Sequence, residues 1–312
     1  MLKVKVTVPA ACIGLGPGLD ALGLALALHN TLEFGVRADS QFAISISGEG
    51  SYPASLRHPA MHAAITLFQL SESAPAGLNV TITNRIPQNC GLGDLAALTI
   101  GGLVGANNLL AAPLKREALI ELACSLTKQP ASVVTALLGG LAITSGMGHE
   151  LIYRRIDVTA LKVVIIVPEL PAYEDPAIDL PPITLADMSF NIGRAALVVE
   201  ALRKSDFDLL GRALRDRLLE SQLPKVIPGY AAVIAAAREA GAIGVTLCGN
   251  GPALMAFTQV NHKRVEDSMQ QAFNSGARLD GQCRYAGRRN QRHTITYKIP
   301  FLQACFTGTT PL

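Results

Sequence analysis

The stretch Ile86-Pro87-Gln88-Asn89-Cys90-Gly91-Leu92-Gly93-Asp94-Leu95-Ala96-Ala97-Leu98 decides how this chain is read. A strand-like segment, "GLNVTITNRIP" at 77–87, runs into two closely spaced glycines and then into an apolar, alanine-rich run. Glycine lets the backbone turn sharply, and the helix that follows would aim its unpaired N–H groups at an anion. Asp94 stands where that anion would land. Such a loop either cradles a phosphate or fills its own anion site.

The rest of the chain bounds the setting. Its 312 residues suffice for one large or two medium α/β domains. Apolar residues make up 49% and charged residues 16%, with no tryptophan, so the core is built from Ala, Leu, Val and Ile. A net charge of +3 is too small to argue for a nucleic-acid partner, whose recognition usually shows as a concentrated basic face. The apolar runs near 95–106 and 133–146 are broken by polar residues and fall short of a membrane span. "MLKVKVTVPA" at the start alternates like a strand and lacks a signal-peptide core. Six cysteines without CxxC spacing fit a reduced compartment, so a cytoplasmic protein is expected.

Along the chain, strands are expected at 2–8, up to about 37, at 41–47, 77–87, 141–145, 161–169 and 242–249, with a strand-like tail at 293–300. Helices are expected at 58–70, 94–111, 115–127, 130–138, 190–204, 206–219 and 228–241. The helix at 115–127 is amphipathic, with Leu119, Leu122, Ala123 and Leu126 on one face. The Pro- and acid-rich segment 168–186 reads as a loop covering a site. A domain boundary falls near residue 155, giving domains 1–155 and 156–312.

Three Gly/Pro turns punctuate this pattern: "PAACIGLGPGLDALGLAL" at 9–26, "IPQNCGLGDLAAL" at 86–98 and "TLCGNGPALMAF" at 246–257. One such turn alone means little. In this order they resemble the GHMP kinase superfamily, and within it the homoserine kinases. The first is similar to "PATSANLGPGFDTLGLAL", the second to the phosphate loop "IPxxxGLGSSAA", and the third to "LSGSGPTxFAL". "QPASVVTALLGG", "FNIGRAALVVEAL" and "DRLLESQLPKVIPGY" extend the likeness over nearly the whole chain. The resemblance implies a mixed α/β (α+β) GHMP kinase fold, with an S5-like N-terminal domain beside a ferredoxin-like C-terminal one. It implies ATP, Mg²⁺ and phosphoryl transfer to a homoserine-like hydroxyl in threonine biosynthesis, and a homodimer. Such transfer works by cradling phosphates, placing the metal and orienting the hydroxyl.

Carried over residue by residue, the likeness implies that Gly91, Leu92, Gly93, Asp94 and Leu95 face the nucleotide, and that Asp20, Gly14, Ser132, Arg194, Gly249 and Gly251 face the substrate. Asp94 and Thr127 stand at the catalytic and metal-binding positions. The chain departs from the family at many of these places. The serine pair of the phosphate loop is Asp94-Leu95 here, the metal-binding Glu is Thr127, and the substrate-side Asn is Ser132. In the first turn, Ala11, Cys12 and Gly14 replace Thr, Ser and Asn, while Asp20 remains. Leu219 and Leu223 replace a His and an Arg. Leu95 ligates nothing. Asp94 is either an N-cap for its own helix or a ligand for Mg²⁺. Glycines and apolar faces are kept while reactive side chains are exchanged, which points to a maintained fold with an altered site. Two readings follow: a homoserine kinase with unusual metal contacts, or a non-catalytic GHMP-fold homologue (a pseudokinase) with a binding or regulatory role. A different small-molecule transferase in the same cleft is a third.

Three weaker patterns remain. Cys12, Cys90 and Cys248 fall one in each turn and would form a soft-metal site if they met, or else act as small buried hydrophobes. His58 and His62 have ligand spacing, but Pro59 puts His58 at the helix start, where it caps. "RYAGRRNQRH" at 284–293 reads as a solvated basic loop.

Overall fold

A computed structural model describes residues 2–159, 161–168, 182–220, 222–223, 227, 229–279 and 295–298. The expected loop at 168–186 falls mostly on 169–181, and the basic segment at 284–293 falls wholly outside the described residues.

The first part of the chain builds a six-stranded sheet. Its strands are β1 (Lys3–Ile13), β2 (Leu22–Arg37), β3 (Phe42–Gly48), β4 (Gly77–Asn84), β5 (Leu141–Ser145) and β6 (Ile152–Ile156). They lie in the order β3-β4-β2-β5-β6, with β1 antiparallel to β2 along eleven residue pairs. β1 runs five residues past its expected end, because Ala10, Ala11 and Cys12 are wholly buried and pair with β2 into the first glycine turn. Four helices accompany this sheet: α1 (Pro59–Leu70), α2 (Asp94–Leu109), α3 (Arg116–Thr127) and α4 (Pro130–Leu138).

The second part builds a four-stranded sheet ordered β10-β7-β9-β8. Its strands are β7 (Lys162–Ile166), β8 (Gly244–Leu247), β9 (Leu254–Thr258) and β10 (Ile295–Lys298). Helices α5 (Leu185–Lys204), α6 (Phe207–Ala213), α7 (Tyr230–Glu239) and α8 (His262–Leu279) belong to this half. Among the described residues no helix is long and apolar enough to cross a membrane.

Helix α2 is the buried centre of the first half. Its residues from Ala96 to Ala106 are nearly all sealed from solvent. Gly102 lets it approach α1 so closely that a Cβ there would meet the Ala60 carbonyl oxygen at 2.0 Å. A helix packed this tightly holds its N-terminus in a fixed place.

Three expectations need correcting. On α3 the buried set is Leu119, Ile120, Ala123, Cys124 and Thr127, while Leu122 and Leu126 are only partly covered. The apolar stripe is rotated, because β-branched and sulfur side chains fill the inner side as well as leucines do. Helix α5 begins five residues before the expected 190, since Thr184 caps it by accepting from the Asp187 N–H at 3.1 Å. Helix α6 stops well before 219. Its continuation is diverted by Asp216, whose Oδ1 accepts from the Leu219 N–H at 3.2 Å and from Asn191 Nδ2 at 2.8 Å. Helix α8 and strands β6 and β9 were not anticipated.

Candidate functional site

The three glycine turns converge. Ala11 N–H donates to the Leu92 carbonyl at 3.0 Å, Gly249 N–H to that of Ile13 at 2.9 Å, and Ala253 N–H to that of Cys90 at 3.2 Å. Gly91 makes the closest approach, with φ +77° and only 1.8 Å between a hypothetical Cβ and the Cys248 carbonyl oxygen. No side chain fits there, so the glycine is required both by conformation and by space.

Beside this junction lies a cavity of about 1250 Å³. The first turn contributes Asp20, the second contributes Gly91, Gly93, Asp94 and Leu95, and the third contributes Gly249 and Gly251. Lys128 through Ser132 line it from the start of α4, and Met188, Asn191 and Ile192 line it from α5. The charged side chains of this lining are two carboxylates, Asp20 and Asp94, and one ammonium, Lys128.

Asp94 is not the N-cap of α2. Gly93 holds that position at φ 70°, in the left-handed region, and Asp94 is the first helical residue. Its carboxylate still serves the helix start. It accepts from the Tyr52 hydroxyl, and the N–H groups of Asn89, Asp94 and Leu95 stabilise its charged form. Burial opposes them and is the largest influence, so the Asp94 carboxyl is pushed above the usual carboxylate range. Tyr52 is raised as well, by burial first and then by the Asp94 charge. The Tyr52 ring packs near His58, with centroids 5.3 Å apart. His58 is the N-cap of α1, its Nδ1 accepting from the Ala60 N–H at 3.2 Å. Burial lowers its pKa to about 4, so it stays neutral. Tyr52 escaped the sequence reading, since it lies in no recognisable motif, and Asn89, though inside the second glycine turn, was given no role because its contribution is a backbone N–H.

Other expected site residues lie elsewhere. Thr127 does not line the cavity; it is buried in α3, and its hydroxyl donates to the Ala123 carbonyl at 2.9 Å. The same oxygen accepts from the Gln129 N–H at 3.3 Å, so both of its bonds are to backbone. Leu92 is sealed in the core. Gly14 pairs with Cys248 in the turn junction outside the lining. Arg194 lies over the Phe190 ring at 4.7 Å, which commits its guanidinium to a cation–π contact shared with Arg217. Cys12 and Cys248 are wholly buried neighbours whose thiols interact, and burial pushes Cys90 up to about 12. Thiols held protonated are poor ligands, and no set of three metal-ligating His, Cys, Asp or Glu side chains gathers among the described residues. His58 and His62 form no pair either, because His58 is engaged as a cap.

The comparisons with known proteins agree with this architecture. Residues 59–140 match the GHMP kinases N-terminal domain, and residues 198–275 match the GHMP kinases C-terminal family. A homoserine kinase of Moorella thermoacetica is 37% identical over 271 residues, covering 86% of this chain and 92% of that protein. The chain is a homoserine kinase-like member of the GHMP kinase family. A homoserine kinase of Petrotoga mobilis is 33% identical over 85% of this chain and 88% of its own length. Among solved structures, homoserine kinase from Cytophaga hutchinsonii superposes with a TM-score of 0.75 at 23% identity, covering 88% of this chain and 91% of that one. Mevalonate kinase of L. major, in complex with R-mevalonate, shares the fold with a TM-score of 0.66 at 16% identity, over 95% of both chains.

Proposed function

We propose that the cleft of this homoserine kinase-like protein takes a small homoserine-like amino acid, and that ATP- and Mg²⁺-dependent phosphoryl transfer there is weak or lost. One observation carries the reading: the Asp94 carboxylate lies buried at the start of α2, against the loop amides that a phosphate would need, and Tyr52 closes it in. A phosphate brought to about 4 Å from ionised Asp94 meets a repulsion of roughly 4 kcal/mol at an effective dielectric near 20. A protonated Asp94 would lessen the repulsion and still occupy the amides.

The residues present fit ATP and Mg²⁺ poorly. Leu95 carries no side-chain oxygen, and the Thr127 hydroxyl is already bonded to the backbone of Ala123 and Gln129. Support for the amino-acid ligand comes from Asp20, an exposed carboxylate on the cavity wall suited to an ammonium group, and from the homoserine kinases among its relatives. A cytoplasmic setting and a homodimer belong to the same reading by family likeness.

The test is ADP release with ATP, Mg²⁺ and homoserine, alongside calorimetric titration of ATP and of homoserine separately. We expect millimolar or tighter homoserine binding, feeble ATP binding and negligible turnover. Turnover within about 1–100 s⁻¹, the usual kinase range, overturns the loss of transfer. Absence of homoserine binding overturns the amino-acid ligand.

A further inference from the structure

The wall that α5 gives to the cavity is apolar, and it is open. Met188, Asn191, Ile192 and Ala195 recur at helical spacing on the face of α5 that lines the cavity. Asn191, the polar member of this set, is already engaged. Its Nδ2 donates to Asp216 Oδ1 at 2.8 Å, and its Oδ1 accepts from the Arg217 N–H at 3.0 Å. Leu218, Leu19 and Met147 continue the wall from three other segments. These segments are tied to one another. The Asn191 bonds hold 216–218 against α5, and Gly16 of the first turn lies so close to Leu214 that a Cβ there would meet its carbonyl oxygen at 2.4 Å. Thr144, three residues before Met147, donates its hydroxyl to the Asp20 carbonyl at 3.2 Å.

Leu19, Met147, Met188 and Ile192 are each between 39 and 67% exposed. A single exposed apolar side chain means little, but four that line one concavity mark a place where an apolar group is taken up. Leu19 is also held at φ 44°, a left-handed conformation unfavourable for a bulky side chain, and packing within the chain does little to offset it. A concavity of this kind suits a small molecule rather than a flat partner surface. The charged group carried by this wall is Asp20, next to Leu19, which is exposed and makes no ion pair among the described residues. Of the other charged lining groups, Asp94 is held by Tyr52, and Lys128 stands between α3 and α4. An apolar wall with one open carboxylate complements an apolar cation.

We infer that the α5 end of the cleft is an apolar subsite, formed by Leu19, Met147, Met188, Ile192 and Leu218, that takes the hydrocarbon chain of an amine whose ammonium group is received by Asp20. Such a ligand differs from homoserine, whose side chain ends in a hydroxyl that α5 meets with no free polar group. The ammonium anchor at Asp20 rests on the reading of the cleft given above; the apolar subsite does not.

The test is calorimetry on the full chain with n-butylamine, n-hexylamine, n-octylamine and n-hexanol, and with L-homoserine in parallel. We expect amine affinity to rise by about two- to fourfold per methylene. Ile192→Asn combined with Met188→Gln should remove most of that increment, and Met147→Gln, on a different segment, should lessen it. Asp20→Asn should weaken n-hexylamine by about tenfold and leave n-hexanol unchanged. Affinity independent of chain length, or an increment that survives in all of these apolar-wall variants, overturns the subsite and leaves the homoserine reading standing. If the increment is present while homoserine does not bind, the subsite holds and the homoserine reading falls. Equal binding of n-hexanol and n-hexylamine overturns the ammonium anchor, and with it the amine as ligand.

Discussion

Two helix starts face one cavity, and they treat an incoming anion in opposite ways. At α2 the protein supplies its own anion. Asp94 is buried against the loop amides and held by Tyr52, so the dipole is already compensated. At α4 no side chain caps the first turn. The two starts differ in backbone as well as in side chains: Gly93 caps α2 at φ 70°, while Gln129 caps α4 at φ −125° ahead of Pro130. A helix start is attractive to any anion, so what it binds depends on whether a carboxylate of its own chain reaches it first.

The largest effect is expected at the junction that positions α2. Gly91→Ala forces a Cβ onto the Cys248 carbonyl in a left-handed conformation, and we expect a loss of about 3 kcal/mol or more, read as a lower urea midpoint. A midpoint within error of wild type would mean that the turns are not locked together. Next in size is the pair Asp94→Ser with Leu95→Ser, which restores hydroxyls and removes the internal anion. Calorimetry should show ATP binding tightened by about tenfold or more, and unchanged affinity would show that Asp94 does not block the loop.

Tyr52→Phe tests the closure itself. It removes the one side-chain donor to the buried Asp94 carboxylate, leaving only the loop N–H groups, and should cost about 1–3 kcal/mol in denaturant. The two buried groups near Tyr52 also give opposite pH signatures. Asp94 has a raised folded pKa, so the folded state holds its proton more tightly than the unfolded one. Its contribution is present at low pH and is lost as pH rises from about 3.8 through the raised value. His58 has a lowered folded pKa, so its contribution is present above 6.5 and is lost as pH falls toward about 4. Asp94→Asn should flatten the first slope, and His58→Asn, which keeps a capping acceptor, the second. Urea midpoints measured from pH 3 to 8 decide both.

The smallest effect is expected at Lys128. Lys128→Gly relieves a left-handed lysine and should stabilise the chain by about 0.5–1 kcal/mol, after glycine's greater unfolded-state entropy is allowed for. A lower midpoint than wild type would show that Lys128 is not strained at that helix end.

Much of this was legible from sequence, and the reasons are local. Gly91, Gly93 and the apolar run after them announced a tight turn into a buried helix, because that backbone geometry excludes most other residues. Pro59 and His58 marked the start of α1. The faces of α3 were harder, since its inner side is filled by Ile120, Cys124 and Thr127 as well as by Leu119. The site was less legible still. Thr127 matches a family position in register, yet its hydroxyl turns back onto the Ala123 carbonyl, a rotamer choice that sequence does not specify. Arg194 likewise spends its charge on Phe190, one helical turn away.

By itself the sequence determined that three glycine turns punctuate a GHMP-type chain and that an acid sits at the head of one of them. Its residue types are enough for this, because glycine conformation and apolar periodicity act over a few residues. Only the tertiary structure decided what that acid does. Tyr52 comes from 42 positions away to hold it, and the loop amides stabilise its charge. Partnership between side chains distant in sequence depends on how packed elements meet, and local sequence pattern carries no record of that.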